Sequence, residues 1–126
     1  MPGTLPSRTG CGTLNHIWVL AINPDAAVLY GLEVGVIGAH PGGAPEAFEV
    51  RAFATSSDSV YEDPVTGSLN ASLGQWLIKT GQAPVRYRAR QGTRLGRHGV
   101  VHVEKADNGL WIGGKTTTLI SGTVTL

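Results

Sequence analysis

The chain has 126 residues, a formal net charge of +1 at pH 7 and only 15% charged side chains. This balance argues against nucleic acid or an anionic membrane as a partner, because both require clustered positive charge. The length suits a single domain over residues 1–126 with a sizeable core. The single cysteine excludes an intrachain disulfide, residues 1–10 lack the apolar core of a secretory signal, and no stretch is long enough to span a membrane. We therefore expect a cytoplasmic protein.

The first half of the chain alternates short apolar runs with proline and glycine. Residues 1–13 contain two Pro and three Gly and predict a loose N-terminal segment. The run 16–22 predicts a strand, residues 26–32 a short helix, and residues 33–39 a second strand. Two further segments follow: a strand with alternating apolar residues over 46–54, and a polar loop over 55–62.

One segment has the character of a strong helix, residues 68–80. Its apolar side chains are not confined to one stripe, and Lys79 is its single charge. This composition predicts a helix that is buried on nearly all sides. Gly81 lies where a glycine commonly ends a helix.

The remainder of the chain predicts β-structure. Apolar and arginine residues alternate over 85–90, and residues 99–106 and 110–112 flank an Asp-Asn-Gly hairpin turn at 107–109. Residues 115–126 predict one or two closing strands. Several strands and one buried helix indicate an α+β fold, in which a curved, mostly antiparallel sheet or barrel wraps around the central helix.

Residues 62–69 carry the strongest functional signal: an acidic pair and a proline run into Thr-Gly-Ser immediately before the helix. The first amides of a helix lack intrahelical acceptors and carry partial positive charge, so they can hold a carboxylate or a phosphate. Asp63 could exchange a proton with a molecule held there. Spacing alone favours the alternative of an ordinary capped helix start with an Asp-Pro turn, because both features are common, and the two interpretations stay open.

Four short blocks follow one another along the chain: Arg-Ala-Phe-Ala at 51–54, Glu-Asp-Pro-Val-Thr-Gly-Ser at 62–68, Gln-Gly and Gly-Arg within 91–97, and Trp-Ile-Gly-Gly at 111–114. In this order they resemble the PhzF-type isomerase family, which is named for phenazine biosynthesis and has the diaminopimelate-epimerase-like fold. The resemblance covers roughly residues 14–126 and matches only the C-terminal half of such a protein. We therefore expect the N-terminal half, with its own catalytic glutamate, to be absent.

The resemblance implies a fold, a reaction and site residues. The fold has two lobes, of which this chain supplies one, and substrate lies between them at the N-terminal ends of the two central helices. The reaction isomerises or epimerises a small acid by proton transfer, without metal or organic cofactor. Asp63 resembles the acid/base carboxylate, and Thr66, Gly67 and Ser68 resemble the group that holds the substrate carboxylate. Glu62 is a second candidate catalytic carboxylate, although neighbours on an extended segment tend to point apart.

Two departures from the family pattern concern substrate choice. Leu69 stands where the family usually has alanine, directly after the anion-binding serine, and its larger side chain is expected to narrow the pocket. Thr55 replaces the proline that usually follows the Arg-x-Phe-Ala strand.

Other chemistry-bearing residues give weaker signals. The arginines at 86, 88, 90, 94 and 97, with His98, form a local basic cluster that is most simply a solvated strand face. His98 and His102 share a face of a strand, but no third ligand accompanies them, which argues against a metal site.

Three functions remain open. The first is an isomerase lobe, which is completed by a separate N-terminal-half polypeptide or acts as a reduced enzyme. The second is a non-catalytic module that binds a small anion. The third is a self-associating structural remnant, for which we predict a two-fold homodimer, because a single lobe would expose the apolar wall that meets its sister lobe.

Overall fold

The computed structural model of the protein describes residues 33–55 and 59–126. Their elements, in chain order, are β1 (Val34–Ala39), β2 (Phe48–Thr55), β3 (Val60–Asp63), α1 (Gly67–Lys79), β4 (Arg86–Gln91), a 3₁₀ turn (Thr93–Leu95), β5 (Gly99–Ala106) and β6 (Gly109–Gly113). The predicted loose segment, first strand and short helix, at 1–13, 16–22 and 26–32, lie outside the described residues.

The six strands form one mixed sheet in the order β1-β2-β4-β5-β6, and β3 also pairs with β2. The β2–β4 pairing is parallel and the other four are antiparallel. β3 and β4 share one edge of β2: residues 48–50 of β2 pair with β4, and residues 52–55 pair with β3. Within the described ranges, a mostly antiparallel sheet with one α-helix confirms the predicted α+β class.

One face of the sheet packs against α1. The strand register aligns Gly35, Ala52 and Asp63 in one row across β1, β2 and β3. Because facing residues in a ladder point to the same side, Asp63 lies on the helix side. The core between sheet and helix contains Val50, Leu77, Ala83, Tyr87, Ala89, Val101 and Val103.

The helix buries one stripe rather than its whole circumference, so the prediction of burial on nearly all sides is wrong. Its buried residues are Asn70, Gly74 and Leu77, whereas Trp76 is 50% exposed. The reason is close packing at Gly74, where an added Cβ would lie 2.9 Å from Cγ1 of Val103. Asn70, Gly74 and Leu77 therefore face the sheet, and the bulky indole of Trp76 lies outside.

The end of the helix agrees with the sequence. Gly81 adopts φ +73°, the left-handed conformation that glycine takes without steric cost. Its N–H donates to the carbonyl of Ile78 at 3.2 Å, and the N–H of Gln82 donates to the carbonyl of Leu77 at 2.8 Å. These two bonds form a Schellman motif, which satisfies carbonyls that the helix leaves unpaired. The predicted helix end is confirmed.

Two other segments correct the sequence predictions. Residues 60–63 are not loop, because they form β3 and pair with residues 52–55 of β2. Residues 114–126 form no strand, since they find no partner strand among the described residues, and Leu119 and Ile120 are 88% and 92% exposed. The predicted closing strands are therefore wrong.

The predicted hairpin joins β5 to β6 through Asp107 and Asn108. Its turn geometry differs from the expected Asn-Gly type, because Gly109 alone takes a positive φ, 142°. The pairing of Ala106 with Gly109 places Asp107 and Asn108, rather than Asn108 and Gly109, at the centre of the turn.

Candidate active site at the start of the helix

The acidic pair divides between the two faces of β3. The side chain of Glu62 accepts two hydrogen bonds from Arg51, at 2.9 Å from Nε and 2.8 Å from Nη2. Both side chains are nearly buried, and the guanidinium also lies 4.8 Å from the ring centre of Phe53. Glu62 is therefore held in a structural ion pair on the face away from the helix, and the structure does not bring it together with Asp63.

Asp63 lies at the start of the helix. Its Oδ2 accepts a hydrogen bond of 2.6 Å from the hydroxyl of Thr66, which is the N-cap residue of α1. The Thr66 side chain makes no hydrogen bond to the first helical amides. Because the hydroxyl is directed to Asp63 instead, the N-cap leaves the amides of the first turn open to another acceptor.

A buried amide fixes this loop in place. Gln91, which is fully buried, donates through Nε2 to the carbonyl of Asp63 at 2.9 Å and to Oγ1 of Thr66 at 2.9 Å. Its Oε1 accepts from the N–H of Thr66 at 3.1 Å and from Nδ2 of Asn70 at 3.0 Å. This network holds the acid, the N-cap and the helix as one unit.

Neither Gln91 nor Asn70 was assigned a role from the sequence. Gln91 does belong to one of the four family-like blocks, and that was the available signal. Asn70 lies inside a run that reads as an ordinary apolar helix, so nothing in its neighbourhood indicates a buried amide. Burial of both side chains follows from their hydrogen bonds to each other and to Thr66.

Two glycines let the acidic loop lie directly on the sheet. Gly92 adopts φ +85°, and an added Cβ would lie 2.6 Å from the carbonyl oxygen of Pro64. At Gly99 an added Cβ would clash with Cγ2 of Val65. The close approach of Pro64 and Val65 to these glycines brings Asp63 over the helix N-terminus.

A cavity of about 430 Å³ opens beside the loop. Asp63, Thr66 and Ser68 contribute to its wall, and so does Leu69, which packs against Gly35. Gly67 lies in the first helical turn with open space where a side chain would be. The other described residues of its lining are Glu33, Val34, Ala52, Phe53, Ala54, Tyr61 and Ser72.

The basic cluster engages neighbouring acceptors. Arg86 pairs with Glu104, and this hydrogen bond raises the pKa of the guanidinium. Arg88 donates to the carbonyl of Pro45 at 2.9 and 3.0 Å. These contacts match a solvated strand face.

Two absences hold for the part of the chain that the structure describes. Within residues 33–55 and 59–126, no three His, Cys, Asp or Glu side chains are grouped to hold a metal ion. No helix in these ranges is long and apolar enough to cross a membrane.

Comparison with known proteins identifies the family. A family model described as phenazine biosynthesis-like protein matches residues 15–123. An uncharacterized isomerase of Pasteurella multocida (strain Pm70), PM1503, is 35% identical over 75 residues, covering 58% of this chain and 26% of that protein. The uncharacterized isomerase YddE of Escherichia coli (strain K12) is 30% identical over 98 residues, covering 66% of this chain and 31% of that protein.

The chain thus spans less than a third of the length of these curated relatives. No solved structure matches it at a significant level. Because the family model extends over most of the sequence, including the acidic loop, the start of the helix and the buried Gln91, the chain belongs to the phenazine biosynthesis-like protein family.

Proposed function

We propose that this chain is one lobe of an isomerase that moves a proton within a small carboxylate-bearing metabolite, using neither metal nor organic cofactor. One observation carries the proposal: the Asp63 carboxylate, 2.6 Å from the N-cap hydroxyl, lines the same cavity as Ser68 of the first helical turn. Two of its relatives are themselves named isomerases, which supports the same class of reaction.

The proposed mechanism uses the helix start as the anion site. The amides of Gly67 and Ser68 hold the substrate carboxylate, with help from the Ser68 and Thr66 hydroxyls. When a neighbouring C–H bond is broken, negative charge moves onto that carboxylate, and the fixed amides stabilise it. Asp63 takes the proton and returns it to another carbon of the substrate, so that no atom is gained or lost.

A solvent-exchange experiment tests this role. The purified chain is incubated in D₂O with a panel of small amino and hydroxy acids, and deuterium in their C–H bonds is measured by mass spectrometry. We expect uptake that Asp63→Asn reduces by about 10²–10⁴-fold, the usual contribution of a general acid or base. Asp107→Asn, in the exposed hairpin turn, is the matched control. Equal exchange by wild type and Asp63→Asn would reject catalysis at this site.

We also propose that a second lobe completes the site. Trp76 and Trp111 are half exposed, and apolar residues of the segment 114–126 are almost fully exposed. Apolar surface of this kind is usually covered. A two-fold homodimer would cover this surface. We include in the same proposal the barrel around the helix that the family resemblance implies. Sedimentation velocity should give a dimer at micromolar concentration, whereas a strict monomer would instead favour a separate N-terminal-half polypeptide.

A non-catalytic anion-binding module is the second candidate. It is favoured by the ion pair of Glu62 with Arg51, which leaves Asp63 as the only carboxylate of the acidic pair that faces the cavity. Calorimetric titration with small dicarboxylates separates the two functions. Saturable binding by a chain that exchanges no substrate proton would support the module.

A further inference from the structure

A second carboxylate lines the cavity from the opposite side. Glu33 immediately precedes β1 and contributes to the same wall as Asp63. Gly35 lies in the row of Ala52 and Asp63, so alternation along the strand places Glu33, two residues earlier, on the same face. The next row contains Ala54 and Tyr61. Glu33 therefore lies on the helix side of the sheet, one row beyond Asp63.

The sheet sets the separation of the two carboxylates. β1 and β3 lie on opposite edges of β2, so their backbones are about 10 Å apart. Both residues line the cavity. The remaining space fits a small organic acid with its carboxylate at the helix start and a carboxyl group of the protein on each side.

Neither Glu33 nor Asp63 has a cationic partner among the described residues. The described part of the cavity wall contains no Lys, Arg or His side chain. None of the ion pairs among the described residues involves Glu33 or Asp63. Tyr61 is the other titratable group on this wall. Among the described residues, no cationic side chain therefore competes with a bound molecule for either carboxylate.

We propose that Glu33 is the second proton-transfer group of this site and acts from the β1 side while Asp63 acts from the β3 side. The inference rests on the proposed function. One carboxylate is ionised and takes the proton as the substrate C–H bond breaks; the other is protonated and gives its proton as the new C–H bond forms. The substrate keeps its composition, and the two groups exchange protonation states. The chain would then carry both proton-transfer groups on one lobe.

Glu33→Gln, Asp63→Asn and Glu104→Gln are compared with wild type in the D₂O exchange assay. Glu104 is the matched control because it lies on the other face of the sheet, paired with Arg86. We expect Glu33→Gln to lose about 10²-fold or more in exchange while calorimetry gives an unchanged Kd for the same acid. If Glu33→Gln exchanges as fast as Glu104→Gln, the role of Glu33 is rejected, while the role of Asp63 is unaffected. A parallel loss of binding also rejects the role of Glu33, because Glu33 would then only hold the substrate.

The exchange assay also separates failure of this inference from failure of the proposed function. If Asp63→Asn loses exchange and Glu33→Gln does not, the proposed function stands and the role of Glu33 is rejected. If wild type exchanges no acid, the proposed function fails and the catalytic role of Glu33 fails with it.

Discussion

The carboxylates on the two faces of the sheet have different surroundings. On the face away from the helix, Glu62 pairs with Arg51, Glu104 with Arg86, and Glu49 with His40 at 3.1 Å. On the helix side, Asp63 accepts a hydroxyl hydrogen bond, and Glu33 lines the same cavity. Paired carboxylates stabilise a fold, whereas carboxylates that line an open cavity can contact a ligand. Alternation along β3 is enough to give adjacent acids these different roles.

The largest expected effect on stability comes from the paired face. Glu62→Gln replaces the charged acceptor of a nearly buried bidentate ion pair with a neutral amide, so we expect a loss of about 3 kcal/mol in the free energy of unfolding. Urea denaturation measures it. Glu104→Gln removes an exposed pair and should cost less than about 1 kcal/mol. Equal costs for the two variants would break the distinction between a buried pair and a surface pair.

A smaller effect is expected on the cavity side, at the contact of Leu69 with Gly35. Leu69→Ala should cost about 1–2 kcal/mol, because Leu69 is only partly buried, and should widen the cavity toward bulkier acids. Gly35→Ala should also destabilise the fold, since its Cβ would lie 2.5 Å from Cδ1 of Leu69. In the Leu69→Ala background that cost should fall. Thermal unfolding of the two single variants and the double variant measures these costs. If the costs of Leu69→Ala and Gly35→Ala simply add in the double variant, the contact is contradicted.

The smallest effect is expected at Tyr87, in the core between the sheet and the helix. Burial raises the pKa of the Tyr87 phenol above its ordinary value of 10.0. The folded state therefore binds the phenolic proton more tightly than the unfolded state. This tighter binding contributes to the free energy of unfolding. The contribution is complete below about pH 10 and is lost as pH rises from there through the folded pKa. Tyr87→Phe should abolish this part of the decline in urea stability between pH 9 and pH 11. An identical decline in both proteins would contradict it.

Local patterns predicted much of the fold. Alternation over 85–90 located β4, and Gly81 located the end of α1, because both signals depend on near neighbours in sequence. The strand at 60–63 was missed because its evidence lies in its pairing with β2 rather than in its own residues. The one-sided burial of α1 was missed because Gly74 and Asn70 are buried by the sheet and by Gln91, which are distant in sequence.

The site was predictable only where a motif is continuous. Residues 62–68 pointed to Asp63, Thr66, Gly67 and Ser68, and the structure places all four at the start of α1. The ion pair of Glu62 depends on the position of Arg51, eleven residues earlier, and the buried role of Gln91 depends on a strand 28 residues after Asp63. Glu33 lines the cavity because the strand that follows it pairs with β2, and no sequence motif indicates that pairing.

Amide NMR tests the central claim most directly: that the start of α1 holds a small organic anion beside Asp63. Small carboxylates are titrated into ¹⁵N-labelled protein. Saturable shifts are expected at Gly67 and Ser68, with little change at Gly109 in the distant hairpin. Shifts confined to the arginines of β4, or none at the helix start with any acid tested, would contradict it.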